Sequence, residues 1–173
     1  MRMGRVVGMT LWAGLLAGGG VAGARETADG DMKMRMIAPS PASGSVLMAR
    51  DGAARRLGRP ECAELFRDFT DADGHPLQEK LDAYRLTGPE YLSLIYFADG
   101  ADDGRCGDES VLASTTPGSR RVSICRRFAR AYHQDRNWAE VVVIHEALHT
   151  LGLGENPPSS HEITARVMER CFR

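Results

Sequence analysis

This chain lacks an apolar run long enough to cross a bilayer, lacks C-x-x-C spacing between any of its cysteines, and has almost no excess of either charge. A membrane-spanning helix needs about 20 consecutive apolar residues. The stretch Val6 to Ala17 is shorter than that and runs into glycines. Lysine and arginine total 22 against 23 acids, and dropping residues 1–24, with Arg2, Arg5 and no acid, leaves 20 − 23 = −3. That balance has no nucleic-acid or membrane-surface footprint. Without C-x-x-C pairs, a cysteine-built metal site is not expected. Loops 99–110 and 153–160 contain no aromatic residue, so no substrate preference is legible in them.

What is there begins with a basic start, an apolar stretch and Ala22-Gly23-Ala24. This pattern predicts a signal peptide over 1–24, cleaved after Ala24, and a secreted or periplasmic protein. No cysteine precedes Cys62, so a new N-terminus offers no site for lipid attachment. The remaining 149 residues suit one domain, expected to be a monomer. Four cysteines behind a signal sequence predict two disulfides. The expected pairing is Cys106 with Cys125 across a local loop and Cys62 with Cys171 between the ends of the domain.

Residues 25–59 are rich in Gly, Ala, Ser, Pro, Arg and Met, and Met32, Met34 and Met36 alternate with Lys33 and Arg35. A short strand or a methionine metal tract would fit the alternation, but the composition predicts a disordered linker or pro-segment. The folded domain, 60–173, is expected to begin with a short helix at Pro60. Asp71-Ala72-Asp73-Gly74 fails the spacing of a calcium loop and is a turn, because Phe69 and Lys80 would fall where carboxylates are needed. A helix follows over Leu77 to Leu86, then a buried strand over Tyr91 to Phe97. Asp99, Asp102, Asp103 and Asp108 crowd the next loop as solvated acids. Val111 to Thr116 and Arg121 to Phe128 are expected to pair about Pro117-Gly118, one of them forming a sheet edge.

The chemistry concentrates at His145-Glu146-Ala147-Leu148-His149. Residues four apart on a helix lie about 40° apart, so both imidazoles project to one side and can hold one metal ion. Glu146, roughly 100° from His145, is poorly set for ligation and well set as a base for a water that zinc has acidified. Trp138, Val141, Val142, His145, Leu148, His149 and Gly152 form one helical stripe. Val143, Ile144, Ala147 and Leu151 make the opposite side apolar as well, so the helix should be central. Asp135-Arg136-Asn137 supplies its N-cap, and Gly152 with Gly154 ends it. Asn156-Pro157-Pro158 should be extended, and Ser159 with Glu162 forms a capping box for a last helix that turns Ile163, Val167 and Cys171 inward.

The motif resembles that of the zincin metallopeptidases. The spacing His145-Glu146-x-x-His149-x-x-Gly152-x-x-Glu155 is similar to the extended metzincin signature, which usually carries histidine or aspartate where this chain has Glu155. No methionine suits a Met-turn, since Met168 falls inside the last helix; a later glutamate such as Glu169 would instead be the gluzincin arrangement. The resemblance implies a small α+β domain, with an antiparallel or mixed sheet of three to four strands packed on the central helix and a C-terminal helix. It implies Zn2+ held by His145, His149 and a third ligand: Glu155, or alternatively His161 or Glu169.

Two functions follow. One is a secreted zinc peptidase with Glu146 as general base, acting on a peptide or protein substrate; Tyr132 or His133 could reach the oxyanion, but Tyr132 is expected to pack and His133 to lie on the surface. The other is a non-catalytic zinc-stabilised binding module in which His161 closes the fourth position.

Overall fold

The computed structural model describes residues 40 and 42–173 and the backbone of 35 and 36. The signal segment 1–24, Met32 and Met34 lie outside the described residues. The architecture is mixed α and β. Among the described residues its sheet has four strands in the order β1 (Arg35–Met36), β2 (Tyr96–Asp99), β4 (Arg121–Ile124) and β3 (Ala113–Thr115). β1 and β4 run parallel to β2, while β3 runs antiparallel to β4, so the sheet is mixed. Arg35 and Met36 pair with Tyr96 and Phe97, which makes a two-residue strand of the methionine-rich stretch.

The boundary expected at Pro60 is too late. Residues Ser43–Leu57 form helix α1, and Val46, Ala49, Ala53 and Leu57, at i, i+3, i+7 and i+11, are buried in the core. The low hydrophobicity that suggested a linker reflects small residues at a close helix contact. A Cβ on Gly52 would overlap the Glu140 carboxylate, and Arg56 binds that same carboxylate.

Beyond α1 lie α2 (Pro60–Ala63), α3 (Leu65–Asp68) and α4 (Leu77–Tyr84). The strand expected over Tyr91 to Phe97 is a correction. Gly88–Leu92 is instead helix α5, because Thr87 and Glu90 make a capping box with Pro89 inside the first turn, and β2 starts only at Tyr96. Local capping thus decides a short apolar run whose period is ambiguous. The expected hairpin is present, shortened to β3 and β4, with β3 at the sheet edge.

Helix α6 (Phe128–Gln134) leads to the central helix α7 (Arg136–Thr150), whose N-cap Asp135 accepts from the Trp138 N–H at 3.1 Å. Val141, Val143, Ile144, Ala147 and Leu148 are buried, while Trp138 is 41% exposed, so the apolar stripe opens to solvent at its first turn. Helix α8 (Ser160–Cys171) has the expected Ser159 and Glu162 capping box and buries Ile163, Val167 and Cys171. Its end is fixed by the Cys62–Cys171 disulfide and by Arg170, whose guanidinium binds both Asp68 oxygens at 2.8 and 2.9 Å. Cys106–Cys125 is the second disulfide, so both expected pairings are present. No described helix is long and apolar enough to cross a membrane.

Candidate metal centre

His145 and His149 are buried on one side of α7, with their Nε2 atoms 3.1 Å apart. Glu155 returns to this pair, its Oε1 lying 3.9 Å from His145 Nε2 and 3.8 Å from His149 Nε2. A tetrahedral zinc with bonds of roughly 2.1 Å separates its ligand atoms by about 3.4 Å, so the triangle has the right size. His145, His149 and Glu155 can hold a metal ion, one ligand atom from each lying within 4.8 Å of the others.

The far sides of both rings are held. His149 Nδ1 faces the Leu153 carbonyl at 2.7 Å and must donate to it, which leaves Nε2 as a lone pair. His145 Nδ1 lies 3.1 Å from Thr164 Oγ1 on α8. Burial, and then the neighbouring His149, pushes the His145 pKa down to about 4, so this ring is neutral and suited to a cation at ordinary pH. Thr164 had no signal in the sequence, because only the packing of α8 on α7 brings it to the ring.

Glu155 is delivered by a turn that begins at Gly152, as expected, and contains one correction to the expected chain path, at Asn156. Gly152 has φ +108°, and Asn156 has φ +64° rather than an extended conformation. Asn156 N–H donates to the Pro158 carbonyl at 2.8 Å, closing a turn where an extended segment was expected. His161, the first alternative third ligand, is exposed near the start of α8. Glu169, the second, is ion-paired with Arg166 at 3.0 Å and Arg173 at 3.1 Å. Neither joins the group made by His145, His149 and Glu155.

Glu146 is buried beside the ligands. Its Oε2 and Thr115 Oγ1 are both buried without a hydrogen bond of good geometry among the described residues, although the Thr115 hydroxyl lies close enough to act on the carboxyl. Burial raises the Glu146 pKa, and the carboxylate of Glu155 adds to the rise; Thr115, His149 and Arg105 oppose it. A buried carboxyl oxygen left without a good hydrogen bond is costly unless a proton or a ligand occupies the space it faces.

The site opens into a groove of about 370 Å3 between α7 and the edge strand β3. Arg105 lines it and donates to the Thr115 carbonyl at 2.9 Å, while its guanidinium pairs with Asp103 at 3.2 Å. Tyr132 and His133 are not among the groove's lining residues: on α6, Tyr132 is buried in the core and His133 is exposed, the packing and surface roles expected of them. A larger depression of about 760 Å3 lies against the acidic loop, away from the histidines. There Asp99 and Asp108 accept from the N–H groups of Ala101 and Ser110, which makes them turn-formers.

The second possible ligand cluster, Asp71, Asp73 and His75, is a closed turn. Asp71 Oδ1 accepts from the N–H groups of Asp73 and His75, each at 3.0 Å, and Oδ2 pairs with Lys80 at 2.9 Å.

Backbone groups of β3 face the groove. Cys125 N–H donates to the Leu112 carbonyl at 3.0 Å, and in an antiparallel pair the bonded residues alternate. Ala113 and Thr115 therefore turn their backbone groups to the outer edge, where the Thr115 carbonyl is taken by Arg105 and the groups of Ala113 face the groove. No family model, curated protein or solved structure matches this chain, so its chemistry is read from this geometry.

Proposed function

We propose that this protein is an exported zinc-dependent peptidase. The observation that carries the reading is the convergence of His145, His149 and Glu155 at the floor of an open groove, with the buried Glu146 carboxyl, whose Oε2 makes no hydrogen bond of good geometry, beside them. Two nitrogens and one carboxylate form a donor set that suits zinc. Zinc held there would act as a Lewis acid, polarising a carbonyl and acidifying a water.

The rest is the work of this chain's residues. Glu146 takes the proton from the attacking water and passes it to the departing amine, a role favoured by the raised pKa that burial gives it. The outward backbone groups of Ala113 hold an extended peptide as an added strand. Arg105, fixed by Asp103 and the Thr115 carbonyl, brings positive charge to the groove wall next to the developing oxyanion. Two disulfides favour an oxidising compartment, in line with the signal-like start of the chain. The closed structural module is disfavoured, because His161 stays outside the ligand group and the site opens into a groove.

The test is metal content of the purified chain by mass spectrometry, with peptide cleavage measured with and without a chelator. One zinc per chain, chelator-sensitive cleavage, and loss of cleavage with retained zinc in Glu146→Gln are expected. Unchanged hydrolysis in Glu146→Gln would sink the proposal.

A further inference from the structure

The groove has a second feature that metal chemistry does not use. Trp138, a large apolar side chain, is 41% exposed at the first turn of a helix whose next turns are buried. It lines the groove with Val141, Val142, Leu112 and Ala113, so the wall there is apolar while the far end holds the ligands. Trp138 precedes His145 by seven residues, which places both on one helix face within about 20° and roughly 10 Å apart along the axis. An extended peptide covers that distance in about three residues.

Chain direction can be read as well. Leu112 lines a small hollow together with Trp138, whereas Thr115 stands beside Glu146. β3 therefore runs along α7 from the Trp138 end toward the metal ligands. A peptide added antiparallel to β3, the more stable pairing, runs the opposite way, from the ligands toward Trp138.

We propose that Trp138 forms the subsite for a large apolar side chain, aromatic or long aliphatic, at the third residue C-terminal to the cleaved bond. The proposal rests on the peptidase reading. Aromatic anchors in partly desolvated clefts contribute much of the recognition energy at such surfaces. An exposed Trp138 continuous with the ligand group has that form.

The experiment uses octapeptides of Ala, Ser and Gly carrying one Phe at each position in turn. Cleavage by the zinc-loaded protein is mapped by mass spectrometry, and binding to zinc-loaded Glu146→Gln is measured by calorimetry. Phe at the third position after the cleaved bond is expected to raise both kcat/KM and affinity about tenfold over Ala. Trp138→Ala should collapse this Phe-to-Ala ratio toward one, and Trp138→Phe should largely retain it. Absence of a positional preference, a preference on the N-terminal side, a ratio intact in Trp138→Ala, or no peptide binding would each overturn the subsite. Phe-selective binding without any cleavage by the wild-type chain would overturn the peptidase reading and, with it, the position of the subsite relative to a cleaved bond.

Discussion

Lys80 Nζ stands 2.8 Å from where a Cβ on Gly152 would sit, so the ion pair of Lys80 with Asp71 packs directly against the turn that carries Glu155 to the histidines. Gly152 also has φ +108°, a region L-residues avoid. Gly152→Ala is expected to cost about 1 to 3 kcal/mol in denaturant unfolding. It should also weaken zinc binding, because the turn must shift to admit the methyl group.

Asp71 offers a pH test. Lys80 foremost, then the His75 N–H, holds its carboxyl down to about 2 from an ordinary 3.8, with burial pulling the other way. A depressed carboxylate stabilises the fold above its unfolded pKa and loses that contribution as pH falls through the folded value. The stability advantage of the wild type over Asp71→Asn should therefore be full above about pH 4 and fade toward pH 2. Thermal scans across that range check it; a difference independent of pH would remove the charged pair as its cause.

The ligand assignment can be separated from its alternatives by competition with a chromophoric chelator. His145→Ala and His149→Ala should abolish tight zinc binding. Glu155→Ala should weaken it by at least about tenfold, the loss typical of even an outer-shell partner. His161→Ala and Glu169→Ala should leave it unchanged, since those side chains lie outside the group.

The disulfides should contribute unequally. Cys62–Cys171 closes a separation of 109 residues and Cys106–Cys125 one of 19. Replacing the first pair by serine should cost about 2 to 5 kcal/mol, more than replacing the second. Because Cys171 ends the helix that supplies Thr164, removing the long bridge should also lower zinc affinity.

Several parts of the fold could be read locally. The capping box at Ser159 and Glu162, the N-cap at Asp135 and the hairpin at Pro117-Gly118 depend on neighbours within a few residues, and all three are present. α1 was not legible, because its core face is built from alanines and Gly52, small residues that look like linker composition until a partner helix is against them. Tyr91 and Leu92 looked like strand because a buried helix and a buried strand share one apolar pattern over so short a run. The path after Gly152 was misread at Asn156, whose positive φ belongs to a closed turn where the prolines had suggested extension.

Alone, the sequence determined that two imidazoles share one helix face with a glutamate beside them, since four-residue spacing on a helix allows nothing else. Tertiary structure decided which of Glu155, His161 and Glu169 meets them. That choice depends on the turn at Gly152 packing against Asp71 and Lys80, and on α8 being pinned by Cys62 and Asp68. These partners are distant in the chain, so no spacing rule within it could specify them.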